Sequence, residues 1–552
     1  MGNTMSGVQP FGVLAQTITD RNGNQMVLNG TGSAAGGNNA NTPATTTGIL
    51  PAGSCTDTLG RPILSWSGLG GTLTGQERTW SDQLNVSGLG QIPVNWTTTT
   101  VTFPDQPQNS TCIYALTSSG VSTASNACGF GPGEQGITMA VVSSIILPNG
   151  QQYSFTYGTG GWGRLSNIAF PDGGSVHYVW GTNSQSKATY QTWPLDIALP
   201  YAQGNGSIWA IVDTPAITDR YVSYDGATEV LHQHFAYYTH WIIDTNSGQT
   251  ATWDYKTTTV TSYDLVRGST AASAVTTYTY TPIGAFQGPN DGQHQPAGSN
   301  PTGWQYPEVP VEASVVYQDG SGNTLKQVNK AWLDQYQMVG DQTILDNKQA
   351  TTTLHCVDNA DRVWNTYEYN FQSAGPASSV PTCPRTSAGQ LTWGISNVSG
   401  NSGAINTSII GPLLRQTATA YHTFSGTNIL DEPDSVSVMG GSGNLMQKTS
   451  YIYDASGLTP SGAAAGLVSA PGGAVRGNIT SVSHWLNTSN SPLTSTYTYF
   501  DTGNLQSMRD PCGNPNGTCK DMIGTNHKTT YAYSDSYSSC GGAAPPNGQT
   551  AA

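Results

Sequence analysis

The 552-residue sequence carries charge on only 9% of its residues, with 19 Lys and Arg against 33 Asp and Glu and a net charge of −14. It has no basic cluster to meet a phosphate backbone, so nucleic acid is not an expected partner, and the negative balance disfavours anionic membrane surfaces. Membrane insertion is not expected either, because the longest apolar run, Ile137 to Leu147, is too short and is broken by serine.

A chain of this length has room for two to four domains or one large repetitive body. Hydrophobic residues, 36% of the total, are diluted by Gly, Ser, Thr and Asn. That mixture suits extended β surfaces kept soluble by hydroxyls and amides, and few Lys and Arg leave few sites for trypsin-like cleavage. The expectation is an extracellular or cell-surface protein. The opening MGNTMSGVQPFG lacks the basic and apolar regions of a secretory leader, so a secreted form implies a removed leader or a segment of a longer product.

Residues 1–136 form the least regular region. Asp20-Arg21-Asn22-Gly23-Asn24 and Asp57-Thr58-Leu59-Gly60-Arg61 are turn signals. Between them, Gly30 to Thr47 has almost nothing to bury and reads as a surface loop. Thr97 to Phe103 is a predicted strand, and Ser110 to Cys128 a loop-rich hairpin.

From residue 137 a clearer unit begins. Tyr153, Phe155 and Tyr157 alternate with Ser154 and Thr156, and Val176, Tyr178 and Trp180 alternate with His177 and Val179, so each segment has strand periodicity. The glycines from 158 to 163 and the turn Pro171-Asp172-Gly173-Gly174 separate them, which predicts a β-meander. The same vocabulary returns without a fixed period. Tyr278-Thr279-Tyr280, Tyr367-Glu368-Tyr369, Tyr451-Ile452-Tyr453, Tyr497-Thr498-Tyr499 and Tyr531-Ala532-Tyr533 pair two aromatics, and Gly-Asn turns lie near them. Lys326 to Gln337 is the one stretch admitted as helix. The expected fold is all-β, built from repetitive antiparallel strands and hairpins, with β-blocks at 137–300, 301–402 and 403–552. Tyr153, Tyr157, Tyr178, Trp180, Tyr451, Tyr453, Tyr497 and Tyr499 are the expected packing residues of the repeat.

Tyr-x-Tyr followed by a turn and Gly-Arg-Leu or Gly-Asn-Leu, as in Tyr153 to Leu165 and Tyr497 to Leu505, resembles the YD repeats of the Rhs family. Such blocks cover roughly residues 140–535 with gaps. The resemblance implies a large sheet of wound strands, as in bacterial surface proteins and toxin-carrying shells. It does not extend to the family's self-cleaving C-terminal core: Asp510-Pro511-Cys512-Gly513 matches a few letters, but the surrounding motif is missing.

Eight cysteines are read as disulfide candidates: Cys112 with Cys128, Cys356 with Cys383, and Cys512 with Cys519 lie near one another in sequence, leaving Cys55 and Cys540. Zinc is disfavoured because no CxxC occurs. Ten Asn-x-Ser/Thr sequons, at Asn29, Asn85, Asn95, Asn109, Asn205, Asn397, Asn406, Asn478, Asn487 and Asn516, are formal glycosylation sites. This composition yields about nine by chance, so their number carries little information.

His232 and His234 share a strand face, with His240 near, a spacing open to two metal ligands and equally to an ordinary strand. Asp20 to Asn24 and Asp319 to Asn323 could offer oxygens to calcium but read better as turns. Glu308, Glu312, Asp431, Glu432 and Asp434 read as solvated charges. With no GxSxG, HExxH or GxxxxGK, no catalytic residue, metal or cofactor is expected.

The leading expectation is a non-enzymatic structural protein, exposed outside a bacterial cell and assembling with copies of itself into a fibre or surface layer. One alternative is a fragment of a toxin-encapsulating shell. Another, with glycans as partners, is a carbohydrate-binding module or glycoside hydrolase.

Overall fold

The computed structural model describes residues 4–6, 17–30, 50–56, 62–69, 80–86, 90–101, 113–116, 120–123, 137–158, 164–192, 207–243, 251–268, 271–283, 309–332, 337–358, 360–371, 405–462, 467–513 and 527–532. Among them, 27 strands join into one antiparallel sheet. Each strand of that sheet pairs with the next along the chain, from Thr4–Ser6 to Lys528–Thr530. The one excursion is a separate hairpin, Ile113–Leu116 with Gly120–Thr123, inside the stretch expected to form one. Gly30 to Thr47 lies largely outside the described residues.

The predicted meander is present as Gln152–Tyr157, Leu165–Ala169 and Ser175–Thr192. The ladder also runs unbroken between the blocks, since Ala274–Ile283 pairs with Val309–Asp319 and Val363–Tyr369 with Leu413–Tyr421. Lys326 to Gln337 is a correction. Its first part belongs to the strand Thr324–Trp332, because strands on both sides take up its backbone hydrogen bonds, and Asn329 and Ala331 alternate as its buried residues.

Two local devices explain why these residues make hairpins. The first is a five-residue turn, found at Asp20–Asn24, Leu147–Gln151, Phe170–Gly174, Asp319–Asn323, Leu345–Gln349, Asp358–Arg362, Gly440–Asn444 and Phe500–Asn504. In each, the N–H of the first residue donates to the carbonyl of the fifth at 2.7–3.0 Å, and the N–H of the fourth donates to the carbonyl of the first at 2.8–3.1 Å. The fourth residue has positive φ and is glycine in six cases, Lys348 and Asp361 being the exceptions. That geometry places the fourth residue alone in the left-handed region where glycine is not strained, and it matches the twist of the flanking strands. Where the first residue is Asp20, Asp319 or Asp358, its carboxylate accepts from the backbone N–H groups two and four residues on. Those oxygens therefore serve the turn, in keeping with the turn reading of Asp20 and Asp319.

The second device is an aromatic latch. Tyr157, Trp180, Trp332, Tyr421, Tyr453 and Tyr499 each stand where the register slips by a bulge, Trp180 within the long strand Ser175–Thr192 and the other five at the end of a strand. Each donates its O–H or ring N–H to a carbonyl of the preceding strand, Val142, Leu165, Glu312, Val363, Pro433 and Ile479, at 2.6–2.8 Å. The bulge turns the ring along the sheet, so one side chain both covers apolar surface and satisfies a carbonyl.

Among the described residues, packing is concentrated in two clusters. Ala331, Val339, Leu354, Cys356, Val357, Tyr369, Ile405 and Ile410 form the larger. Beside it Gln342, with no solvent exposure, donates to Thr352 Oγ1 and the Asn406 carbonyl at 3.0 Å and accepts from the Asn406 N–H at 2.9 Å. A buried amide satisfied in this way fixes the 405–410 segment against the sheet. Phe424, Ile429 and Tyr453 form the second cluster, with Tyr451, Val475 and Ile479 against it.

Candidate functional site

The feature that distinguishes this sheet is a seam between its two ends. In a flat sheet, the turn Asp20–Asn24 and the strand Ile479–Trp485 would stand roughly twenty strand spacings apart, about 100 Å at 4.8 Å per strand. Instead they belong to one contact region. Val468 donates its N–H to the Gly23 carbonyl at 2.9 Å, Asn24 Nδ2 donates to the Thr502 carbonyl at 2.7 Å, and Arg476 Nη1 donates to the Asn22 carbonyl at 3.1 Å. The Arg21 guanidinium pairs with Glu432, both side chains partly buried. The sheet therefore curls back until its N-terminal turn rests on strands near its C-terminal end.

The seam is built from turns of the same type. Gly23, at φ +91°, lies so close to Val468 that a Cβ there would stand 2.1 Å from its carbonyl oxygen. Reciprocally, a Cβ on Gly503 of the turn Phe500–Asn504 would stand 2.1 Å from Asn22 Nδ2. Both glycines are thus needed for the backbone twist and for the approach of the opposing turn. Asp454 organises the floor beneath: Oδ2 accepts from the N–H groups of Arg476 and Gly477 at 2.9 and 2.8 Å, and Oδ1 from Asn478 at 3.0 Å.

The electrostatics of the seam favour neutral phenols beside the partly buried Arg21 cation. Burial, then the Glu432 charge, pushes the Tyr453 hydroxyl well above its ordinary range, opposed in part by Arg21. Burial likewise pushes Tyr499 up to about 12, again opposed by Arg21. Both hydroxyls donate as latches, so the protonated form is the one the fold uses.

The predicted residues distribute as follows. Tyr453 and Tyr499 belong to the seam's latches; Tyr451 packs on the cluster beneath it, and Tyr497 is half-buried. In the first meander Tyr153 meets Phe170 edge to face with centroids 6.1 Å apart, Trp180 lies under Arg164, Tyr157 is a latch and Tyr178 is half-buried. Cys356 has no exposure, and it and Cys512 are each disulfide-bonded. Cys55 lies on the strand Leu50–Thr56. Cys112, Cys128, Cys383, Cys519 and Cys540 lie outside the described residues.

Among the sequons, Asn406 and Asn487 are exposed, whereas Asn85 and Asn95 are half-buried and donate to Ser65 Oγ and Ser144 Oγ at 3.2 and 2.7 Å. Asn478 corrects the sequence reading: at 4% exposure beneath the seam, it has no room for a glycan in the folded chain. Asn29 lies on the strand Gln25–Gly30, and Asn109, Asn205, Asn397 and Asn516 are outside the described residues.

Asp510, in the Asp-Pro-Cys-Gly match to which self-cleavage is not carried over, accepts from His527 Nδ1 at 2.9 Å, and this hydrogen bond holds its carboxyl below the usual range. Cys512 completes a group of ligand-type atoms within 4.8 Å of one another, but its sulfur is engaged in a disulfide and is no thiolate ligand. Two acids were misread from sequence. Glu432 is the seam partner of Arg21, and Glu312 lies within the strand Val309–Asp319, paired with Lys330. No local signal reveals the first, since 411 residues separate the partners.

No protein-family model and no curated protein matches the sequence. Among solved structures, the chain is similar to TcdB2-TccC3 without its hypervariable C-terminal region, at 8% identity and a TM-score of 0.32, over 83% of this chain and 28% of that one. A mutant of the Photorhabdus luminescens Tc holotoxin pore aligns at 11% identity and a TM-score of 0.14, over 93% of this chain and 21% of that one. The chain thus spans less than a third of the length of these structures.

Proposed function

We propose that the chain is a structural wall: a non-enzymatic, YD-repeat-like sheet, working outside a bacterial cell, that curls to surround a space. The observation that carries this reading is the seam, in which the turn Asp20–Asn24 docks on Val468, Arg476, Thr502 and Glu432. A sheet that returns on itself uses its turns for its own closure, which favours an enclosing shell over a fibre grown by adding chains to open strand edges. The repeated turn and latch supply such a wall with uniform, locally satisfied units, so length is added without a new core for each step.

Electron microscopy of the purified chain, with sedimentation across a hundredfold range of concentration, tests the reading. Single curled particles whose size does not change with concentration are expected. Filaments or sheets that grow with concentration would overturn enclosure in favour of self-assembly.

A further inference from the structure

The last hairpin of the sheet, Leu505–Arg509 against Lys528–Thr530, is held by three residue pairs, Ser507 with Thr530, Met508 with Thr529 and Arg509 with Lys528. Where the two strands leave this ladder, Asp510, Cys512 and His527 come together. A carboxylate oxygen, the sulfur and an imidazole nitrogen all lie within 4.8 Å of one another. Among the described residues no other three side chains of these kinds do so.

The backbone builds the arrangement. Asp510 donates its N–H to the His527 carbonyl at 3.2 Å, and the turn Pro511–Gly513 folds back so that the Gly513 N–H reaches the Asp510 carbonyl at 3.1 Å and Asp510 Oδ1 at 2.9 Å. The approach is close: a Cβ on Gly513 would stand 2.9 Å from the His527 carbonyl oxygen. Asp510 thus commits Oδ1 to the turn and presents Oδ2 to His527 Nδ1, 2.9 Å away. The His527 side chain is 11% exposed and that of Asp510 41%, so the group has a fixed, enclosed side and an open one.

In its disulfide the Cys512 sulfur is no thiolate, so the ligand set is incomplete. We propose that reduction completes it: Asp510, Cys512 and His527 then bind one Zn²⁺, and the disulfide and the ion are alternative clips on the same hairpin end. A dithiol reductant supplies two electrons and two protons and is itself oxidised to a disulfide. The products are the Cys512 thiol and the thiol of the cysteine bonded to it. Zn²⁺ then displaces the Cys512 thiol proton to solvent, while the His527 proton facing Asp510 passes to the other ring nitrogen with no net release.

Thiolate, imidazole and carboxylate are all zinc ligands, and water fills the fourth tetrahedral position. Ligands about 2.0–2.3 Å from a tetrahedral ion stand about 3.3–3.7 Å apart, so Asp510 and His527 open slightly and the freed sulfur closes in by turning about its Cα–Cβ bond. The ladder need not move. Because thiols stay reduced in the cytosol and disulfides persist outside it, a chain made in one and working in the other meets both clips in turn.

The test uses the chelator-stripped full chain, either oxidised or reduced with a phosphine that is then removed. Zn²⁺ is titrated calorimetrically, and Cys512 is located by iodoacetamide labelling and mass spectrometry. In the reduced parent, Zn²⁺ should slow Cys512 labelling by about tenfold or more, because the bound thiolate is withheld from the reagent. That protection should be lost in Asp510→Asn and His527→Gln at the same Zn²⁺ concentration, since even an outer-shell change costs roughly tenfold in affinity. Asp510→Asn is the safer variant, being isosteric and half-exposed, and unchanged circular dichroism confirms its fold. Labelling of Cys512 that ignores Zn²⁺ in the reduced parent would overturn the site. Protection that persists in Asp510→Asn would overturn it too, by placing the ion on other thiols. Uptake by the oxidised chain that Asp510→Asn abolishes would overturn the exchange of one clip for the other.

Discussion

Gly23 and Gly322 occupy the same place in the same kind of turn, at φ +91° and +87°, yet a methyl group at 322 meets nothing within 4 Å while one at 23 stands 2.1 Å from the Val468 carbonyl oxygen. Replacing either by alanine imposes left-handed strain of about 1–2 kcal/mol. At 322 that is the whole cost. At 23 the opposing backbone cannot accommodate the methyl, so the turn lifts away and the bonds Val468 to Gly23, Asn24 to Thr502 and Arg476 to Asn22 go with it. Three hydrogen bonds at about 0.5–1.5 kcal/mol each add roughly 2–4 kcal/mol to the strain. A chain this large does not unfold in two states, so the loss is best read locally. Hydrogen exchange followed by mass spectrometry on peptides covering 467–470 should show the Val468 amide exchanging much faster in Gly23→Ala and unchanged in Gly322→Ala. Equal protection of Val468 in the two variants would refute the seam as a contact that closes the sheet.

Other consequences follow from the latches and turns. Tyr453→Phe removes the hydroxyl from the Pro433 carbonyl inside a residue 7% exposed, and should destabilise the strand Leu445–Tyr453 by about 1–3 kcal/mol, seen as faster exchange there. The same change at half-buried Tyr157, where water can replace the lost donor, should cost less. Lys348, exposed at φ +66° in the fourth position of its turn, should gain from glycine. Relief of strain exceeds the added unfolded-state freedom by up to about 1 kcal/mol, so Lys348→Gly should slow exchange across Leu345–Gln349. Finally, burial raises Tyr369 and Tyr499 from 10.0 to about 12. A raised folded value means their contribution is full below pH 10 and is lost as pH rises from 10 towards 12. The thermal midpoint should therefore fall across that window, with tyrosinate absorbance appearing together with loss of the β signal.

How far the sequence speaks for itself depends on the range of the interaction. Glycine or a substitute before the fifth residue of each turn acts locally, and the Tyr or Trp latches, Tyr421 apart, reach within some twenty residues, so the hairpins at 147–180 and 492–505 are legible as pattern. The strand reading failed at Lys326 to Gln337, where the long polar side chains of Lys326, Gln327 and Lys330 masked a period-two burial of Asn329 and Ala331. Hydrogen bonding from strands on both sides decided that segment, and its own propensity did not.

Side-chain contacts between strands lie at the other extreme. Asp219 is 13 residues from His232, so a hairpin links the two, yet nothing in the spacing of His232 and His234 says which acid stands opposite. Register settles that, because a slip of one residue would turn Asp219 to the other face. At the seam, Arg21 meets Glu432 and Asn24 meets Thr502 across 411 and 478 residues. Local rules determined the turn, the latch and the all-β ladder. The curvature accumulated over the whole sheet decided that two copies of one ordinary turn would meet, because small twists summed over many strands appear in no single repeat.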